Sequence, residues 1–407
     1  MLLCAFASLT PRDYTLPPEL YAKALRFAHA QYLEYFGIAA TSALVLYPIL
    51  RLRIGPRLRG LAERCSRRFS LQTAIFVPPL LVLLSLATLP WLIYAHRTSL
   101  QLGISVERWA PWLWDWTKDQ LVNIVIGTPL AWLFWVIVRR SPRRYWLWFW
   151  LASLPLTTAG VYLAPLVLDP MFNRFEPLAR AHPELVAPIE EILRNAHVTI
   201  PEDHLFEMIA SEKTNALNAY TTGFGSSKRV VLYDTIIRKE PLPELMTTFG
   251  HELGHYALHH ILWGLVLGAV FLLAGMYVGY RFVEAVLRRY GEGLGIRGAG
   301  DLAALPLFLL FAVAASFLTD PLTNAVSRVI EHQADAYALD VTAGVVRQPG
   351  YAAARAFQTE GETGLAIPDP NPVIVWWMYT HPPVRDRLRF CLSWQDGHGM
   401  QPVPREP

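Results

Sequence analysis

The sequence predicts a mainly α, multi-span membrane protein of about six transmembrane helices, with a small α+β domain at the membrane boundary. Three observations carry this. The 407 residues are 53% hydrophobic and only 17% charged, with 14 Trp and a mean hydropathy of +0.27, which is more apolar than an ordinary soluble domain. Six apolar runs each approach the ~20 residues that cross a bilayer. Between the fourth and fifth lies a polar stretch, 169–260, long enough to fold as a small domain.

In chain order the runs are Tyr35–Leu50, Leu71–Ala95, Leu121–Val138, Tyr145–Leu168, Ile261–Val283 and Leu302–Leu318. The first is short and contains Pro48. They divide the chain into a membrane domain of about four helices (1–168), the polar domain (169–260), a helical hairpin (261–325), a second polar region (326–395) and a tail (396–407) whose "MQPVPREP" reads as disordered. The net charge of +3 excludes little, but the arginines sit at the ends of apolar runs and form no basic stripe, so nucleic acid is not an expected partner. Cys4, Cys65 and Cys391 lack paired spacing, which argues against a disulfide framework or a thiolate zinc site. "MLLCAFASLTPRD" has no basic leader and makes a poor secretory signal.

Just before the fifth run stands His251-Glu252-Leu253-Gly254-His255. On a helix, positions i and i+4 share a face, so His251 and His255 present two imidazoles to one zinc ion, and Glu252 beside them can take a proton from an activated water. A catalytic zinc needs a third protein ligand. Glu331 in "SRVIEHQADAYALD" is the best candidate, and Asp335, one turn on, would fix the ring of a ligand histidine. The hairpin formed by the last two runs returns the chain to the side it left, so the three ligands can meet. His255 precedes Ile261 by six residues, about 9 Å of helix, which puts the metal at the membrane boundary. His259, His260 and His332 read as interfacial polar residues, and Asp320 and Asn324 receive no role.

These motifs, in this order, resemble the integral-membrane zinc metalloproteases of the type I CAAX prenyl protease family. "APLVLDPMFNRFEPL" is similar to that family's entry to its catalytic domain, "NALNAYTTGFGSSKRVVLYDTII" to its substrate-strand region, "SRVIEHQADAYA" to its third-ligand helix and "WWMYTHPPVRDRL" to its C-terminal catalytic segment. The resemblance runs from about residue 70 to residue 390. It implies one zinc per chain, held by His251, His255 and Glu331, and a peptide or protein substrate, prenylated in the family, drawn from or held at the bilayer. It assigns oxyanion stabilisation to His381, which paired prolines hold in place, and gives Arg387 the task of orienting a carboxylate or engaging substrate. Asn215 and Ala216 match its substrate-contacting segment. Residues 228–234, "KRVVLYD", read as a strand after the turn "TTGFGSS", and with "HLFEMIAS" would form a small sheet whose edge binds an extended peptide.

Two departures bear on this expectation. The family has seven membrane helices against six counted here, as though the present N-terminus began after the family's first. Arginines crowd residues 51–70, 139–144 and 281–297. If all six runs cross once, these loops share one side and the zinc domain lies on the other, so the positive-inside rule favours an extracytoplasmic active site, whereas the family is expected to cleave on the cytosolic face. The reading is a multi-pass zinc endopeptidase of a bacterial inner membrane or endoplasmic reticulum type, removing C-terminal tripeptides from prenylated CAAX substrates as the resemblance implies. The alternatives are a membrane quality-control protease without prenyl specificity, and a non-catalytic zinc-containing scaffold or transporter.

Overall fold

A computed structural model describes residues 13–399; Cys4, most of the N-terminal stretch and the tail from 400 onward lie outside them. Among the described residues, six helices are long and apolar enough to cross a membrane. The N-terminal part contains α1 (Pro18–Arg51), a short α2 (Ile54–Cys65), α3 (Phe69–Leu102), α4 (Trp109–Arg140) and α5 (Tyr145–Phe172). At 34 residues, α1 is about 50 Å long against a hydrocarbon core of about 30 Å. Its polar first half, with Arg26, His29, Gln31 and Glu34, therefore belongs to the same helix as the apolar run that follows. Pro18 opens α1, where its missing N–H costs nothing. Arg51, Arg139 and Arg140 close α1 and α4, where cations meet the carbonyl end of the helix.

The polar domain follows, with β1 (Phe175–Pro177), α6 (Val186–Asn195), β2 (Leu205–Met208), β3 (Ala219–Thr222), β4 (Arg229–Tyr233), α7 (Asp234–Lys239) and α8 (Leu242–Ala257). The sheet order is β1-β2-β4-β3, with β2 and β4 parallel and both outer pairs antiparallel. β4 is buried on both faces: Val230 and Leu232 join the core under α8 with Ile236, Leu245, Phe249 and Leu253, while Val231 packs with Met208 and Ala210. That is why its sequence is continuously apolar rather than alternating. Buried Arg229 ties the sheet to the end of α5 through Asp169, 3.0 Å away.

The chain then crosses twice more, in α9 (His260–Leu294) and α10 (Leu305–Thr342), and ends in α11 (Pro349–Thr363), α12 (Pro372–Met378) and α13 (Val384–His398). The long helices neighbour one another in the order α1, α3, α4, α5, α9, α10 and back to α1. This ring buries only the flanks of each helix, so the apolar windows of α5 and α9 are almost wholly unburied within the protein. At one end the three arginine-bearing loops meet: Arg53 donates to the Gly293 carbonyl (2.9 Å), Arg139 to that of Gly300 (3.0 Å), Arg297 pairs with Glu63 (2.7 Å) and Arg59 with Asp301. The sheet, α8 and the end of α10 lie at the other.

Candidate metal centre

α8 and α10 approach closely because α8 carries glycine where they touch. A Cβ on Gly254 would lie 3.1 Å from the Cα of Ala334, and one on Gly250 would lie 3.1 Å from Thr342 Cγ2 and 3.3 Å from the Cα of Ala338. This contact carries His251 and His255 to Glu331. His251 Nε2 is 3.1 Å from His255 Nε2 and 3.2 Å from Glu331 Oε2, and His255 Nε2 is 3.6 Å from Glu331 Oε1. A tetrahedral ion with ligand bonds near 2.1 Å spaces its donors about 3.4 Å apart, which these distances bracket. Glu331 Oε2 is buried and has no well-aligned hydrogen-bond donor. Two imidazole nitrogens and a carboxylate oxygen form a donor set that suits zinc.

Both histidines are held from behind. His251 Nδ1 is 2.9 Å from Asp335 Oδ1, and a proton at Nδ1 shared with that carboxylate leaves the Nε2 lone pair facing the other ligands. Arg387 donates to both Asp335 oxygens, at 2.9 Å from Nε and 2.6 Å from Nη2, with its guanidinium 4.0 Å from the centre of the Phe357 ring. Of the two tasks open to Arg387, the geometry is that of orienting a carboxylate. Burial disfavours a charged His251, but Asp335 and Glu331 outweigh it and hold its pKa up to about 10; the same negative field favours a metal cation. Across the site, His255 Nδ1 is 3.0 Å from His260 Nδ1. His260 is 7% exposed, so it is not the interfacial residue expected. α8 does not run straight into α9: His259 takes a left-handed conformation (φ 55°) and turns His260 back onto His255.

Glu252 is buried beside the ligands, and the Thr221 hydroxyl of β3 lies 2.9 Å from its carbonyl and 3.2 Å from its carboxylate. His381 Nε2 stands 3.3 Å from Glu331 Oε2, on a side chain 57% exposed, with Nδ1 2.9 Å from Thr380 Oγ1. All of these groups except Thr380 line one cavity of about 450 Å³. One of its walls is Leu217–Thr221, so the free edge of β3 faces it.

Asn215 and Ala216 are not on that wall. The Asn215 side chain donates to the Gly103 carbonyl (2.9 Å) and the Ala216 carbonyl accepts from Thr235 (2.8 Å), which anchors the segment to the end of α3 and to α7. Within "NALNAY" the dipeptide Asn-Ala is repeated, and the second copy, Asn218-Ala219, leads into β3 and lines the cavity. Thr221, His260 and Glu360, which also lines it, were not singled out by the sequence. The repeated Asn-Ala and the adjacent histidines at 259 and 260 were the available signals; Glu360 had none.

Known proteins resemble this chain along most of its length. The profile of "Peptidase family M48" matches residues 179–395, and that of "CAAX prenyl protease N-terminal, five membrane helices" matches residues 14–174. The chain is 33% identical over 94% of its length to the Bacillus subtilis protein named "Uncharacterized metalloprotease YhfN", covering 87% of that protein. It is 29% identical to the "CAAX prenyl protease 1 homolog" of Oryza sativa subsp. japonica, over 78% of this chain and 72% of that protein. It is 27% identical to "CAAX prenyl protease 1" of Saccharomyces cerevisiae, over 78% and 71%. The crystal structure of S. mikatae Ste24p superposes with a TM-score of 0.79 over 96% of both chains at 21% identity, a likeness of fold.

Proposed function

The chain belongs to peptidase family M48 and is a multi-pass membrane metalloendopeptidase; on that premise we propose that its metal is a single zinc held by His251, His255 and Glu331, with Glu252 as general base. The observation that carries this reading is the spacing of those three donors beside Glu252, in a cavity walled by a free strand edge. Zinc, when bound, would supply Lewis acidity to the attacking water and the scissile carbonyl. The chain's own groups do the rest. An extended substrate adds as a strand to the outer edge of β3, whose unpaired backbone groups fix the register of the scissile bond. Glu252 takes the proton from the water and passes it to the leaving nitrogen. His381 faces the cavity next to Glu331, where Nε2–H can donate to the oxygen that gains charge as the carbonyl is attacked. Asp335 and Arg387 act through His251, and His260 acts through His255. Asn215 and Ala216 hold the segment from which β3 starts.

Removal of C-terminal tripeptides from prenylated CAAX substrates is the substrate reading that the named relatives support. The test compares a quenched fluorescent farnesylated CAAX peptide with its non-prenylated twin, using detergent-purified protein and Glu252→Gln, with zinc measured in both. Cleavage by the native protein and none by the zinc-loaded variant supports the assignment of Glu252. A preference for the farnesylated peptide supports the prenyl reading; equal cleavage of both favours a protease without prenyl specificity. We further propose, from the arginine-rich loops gathered at the opposite end of the ring, that the metal site faces the extracytoplasmic side.

A further inference from the structure

The metal cavity extends past the groups that do chemistry. α8 lines it with Thr247, Thr248, His251, Glu252 and His255, and α11 with Ala353, Ala356, Phe357 and Glu360. Thr247 and Thr248 stand four residues, about 6 Å along the helix, before the first ligand and the base. Opposite them, Ala353 and Ala356 leave the space between the helices open. This makes a slot walled by threonine and alanine side chains with Phe357 beside them, and Glu360 is its one charged group beyond the metal site.

Arg387 and His251 act on that charge only through space. Among the described residues no hydrogen bond or ion pair reaches the Glu360 carboxylate. Arg387, the cavity's only cation besides its histidines, is committed to Asp335. On the flanking helices, Arg355 pairs with Glu244 at 2.9 Å and Lys239 bonds Thr363. The neighbouring Glu240 lies behind the cavity lining and adds its charge to that of Glu360 when ionised. It is 5% exposed, its Oε2 accepts from Thr248 at 3.1 Å and its Oε1 has no donor. Burial pushes Glu360 up to about 7 against the pull of Arg387 and His251, and burial with the charge of Glu360 pushes Glu240 up to about 9, as expected of carboxyls without a direct ion-pair partner. A hydrophobic substrate side chain would leave the Glu360 carboxylate unmet, whereas a long cationic one would fill the slot and pair with it.

We infer that Glu360 makes this slot a specificity subsite for a lysine or arginine side chain close to the scissile bond. The inference rests on the reading of the metal centre as a protease site.

The test uses pairs of peptides identical except for lysine or norleucine at each position flanking the cleaved bond. The ratio of kcat/KM within each pair is read in the native protein, Glu360→Gln and Glu360→Lys, each checked for one zinc. At one position the native protein should favour lysine by about tenfold or more, the glutamine variant should bring the ratio near one, and the lysine variant should reverse it, preferring a glutamate peptide there. A native ratio near one at every position, or a lysine preference that survives Glu360→Gln, overturns the inference and leaves the protease reading intact. If no peptide is cut, the protease reading fails, and the slot is judged by thermal stabilisation with the same pairs: stabilisation by lysine peptides that Glu360→Gln removes upholds it, and equal response to both peptides overturns it.

Discussion

Arg387 reaches across 52 residues of sequence to grip Asp335 with two hydrogen bonds, and Asp335 in turn stands 2.9 Å from His251. The grip is bidentate, which a lysine cannot reproduce. Arg387→Lys and Arg387→Ala should each lower zinc affinity by about 10- to 100-fold, measured by competition with a chromophoric chelator. Unchanged affinity in both variants would mean that Arg387 serves the substrate instead.

Gly254 is a second point of control, because any side chain there meets the Ala334 backbone. Gly254→Ala should cost about 1–3 kcal/mol of stability and weaken zinc binding by moving Glu331 away from the histidines. An alanine variant with native melting temperature and native zinc affinity would show that α8 and α10 have room to spare.

Thr221 links the strand edge to Glu252. Thr221→Val keeps the shape and removes the hydroxyl, so kcat should fall several-fold with little change in KM. A change in KM alone would assign Thr221 to substrate binding.

The buried Glu240 beside Glu360 also predicts a pH dependence of stability. Glu240 is raised from 4.5 to about 9 by burial and then by the charge of Glu360, against the Thr248 hydrogen bond. Between those values the unfolded chain has released a proton that the folded chain keeps, so stability is full below about pH 4.5 and falls as pH rises toward 9. Glu240→Gln should flatten that decline, raising the melting temperature at pH 8 relative to the native protein by a few degrees, on the order expected for ~1–2 kcal/mol. Parallel curves for the two proteins between pH 5 and 9 would contradict it.

Sidedness is open to a direct measurement. All six long helices alternate between the arginine-rich end and the metal end, so a tag after residue 399 shares a side with the metal. Added protease should remove it from sealed right-side-out vesicles; protection there and removal in inverted vesicles would place the site on the cytosolic face.

Much of this was legible from the sequence because membrane segments and metal motifs are local patterns. Six apolar runs gave six helices, and His251, His255, Glu331 and Asp335 came together because a hairpin of two membrane helices must return to its side. The helix ends were less legible. Hydropathy reports the lipid-embedded part, so Pro18–Arg51 was read only from Tyr35. His260 was hidden by a single left-handed residue, His259, that no pattern announces. Asn215-Ala216 rather than Asn218-Ala219 was expected at the cavity because "NALNAY" repeats Asn-Ala and only the fold tells which copy borders it. Glu360 sits in an alanine-rich helix that reads as surface until α8 packs against it.

The central claim is that three named side chains share one zinc and leave a position open for water. Anomalous diffraction at the zinc edge tests it most directly, on crystals of the native protein and Glu252→Gln. The account predicts one peak in each, about 2.0–2.2 Å from His251 Nε2, His255 Nε2 and a Glu331 oxygen, with no fourth protein ligand. A peak elsewhere, or a fourth side chain closing the shell, would contradict it and make the metal structural.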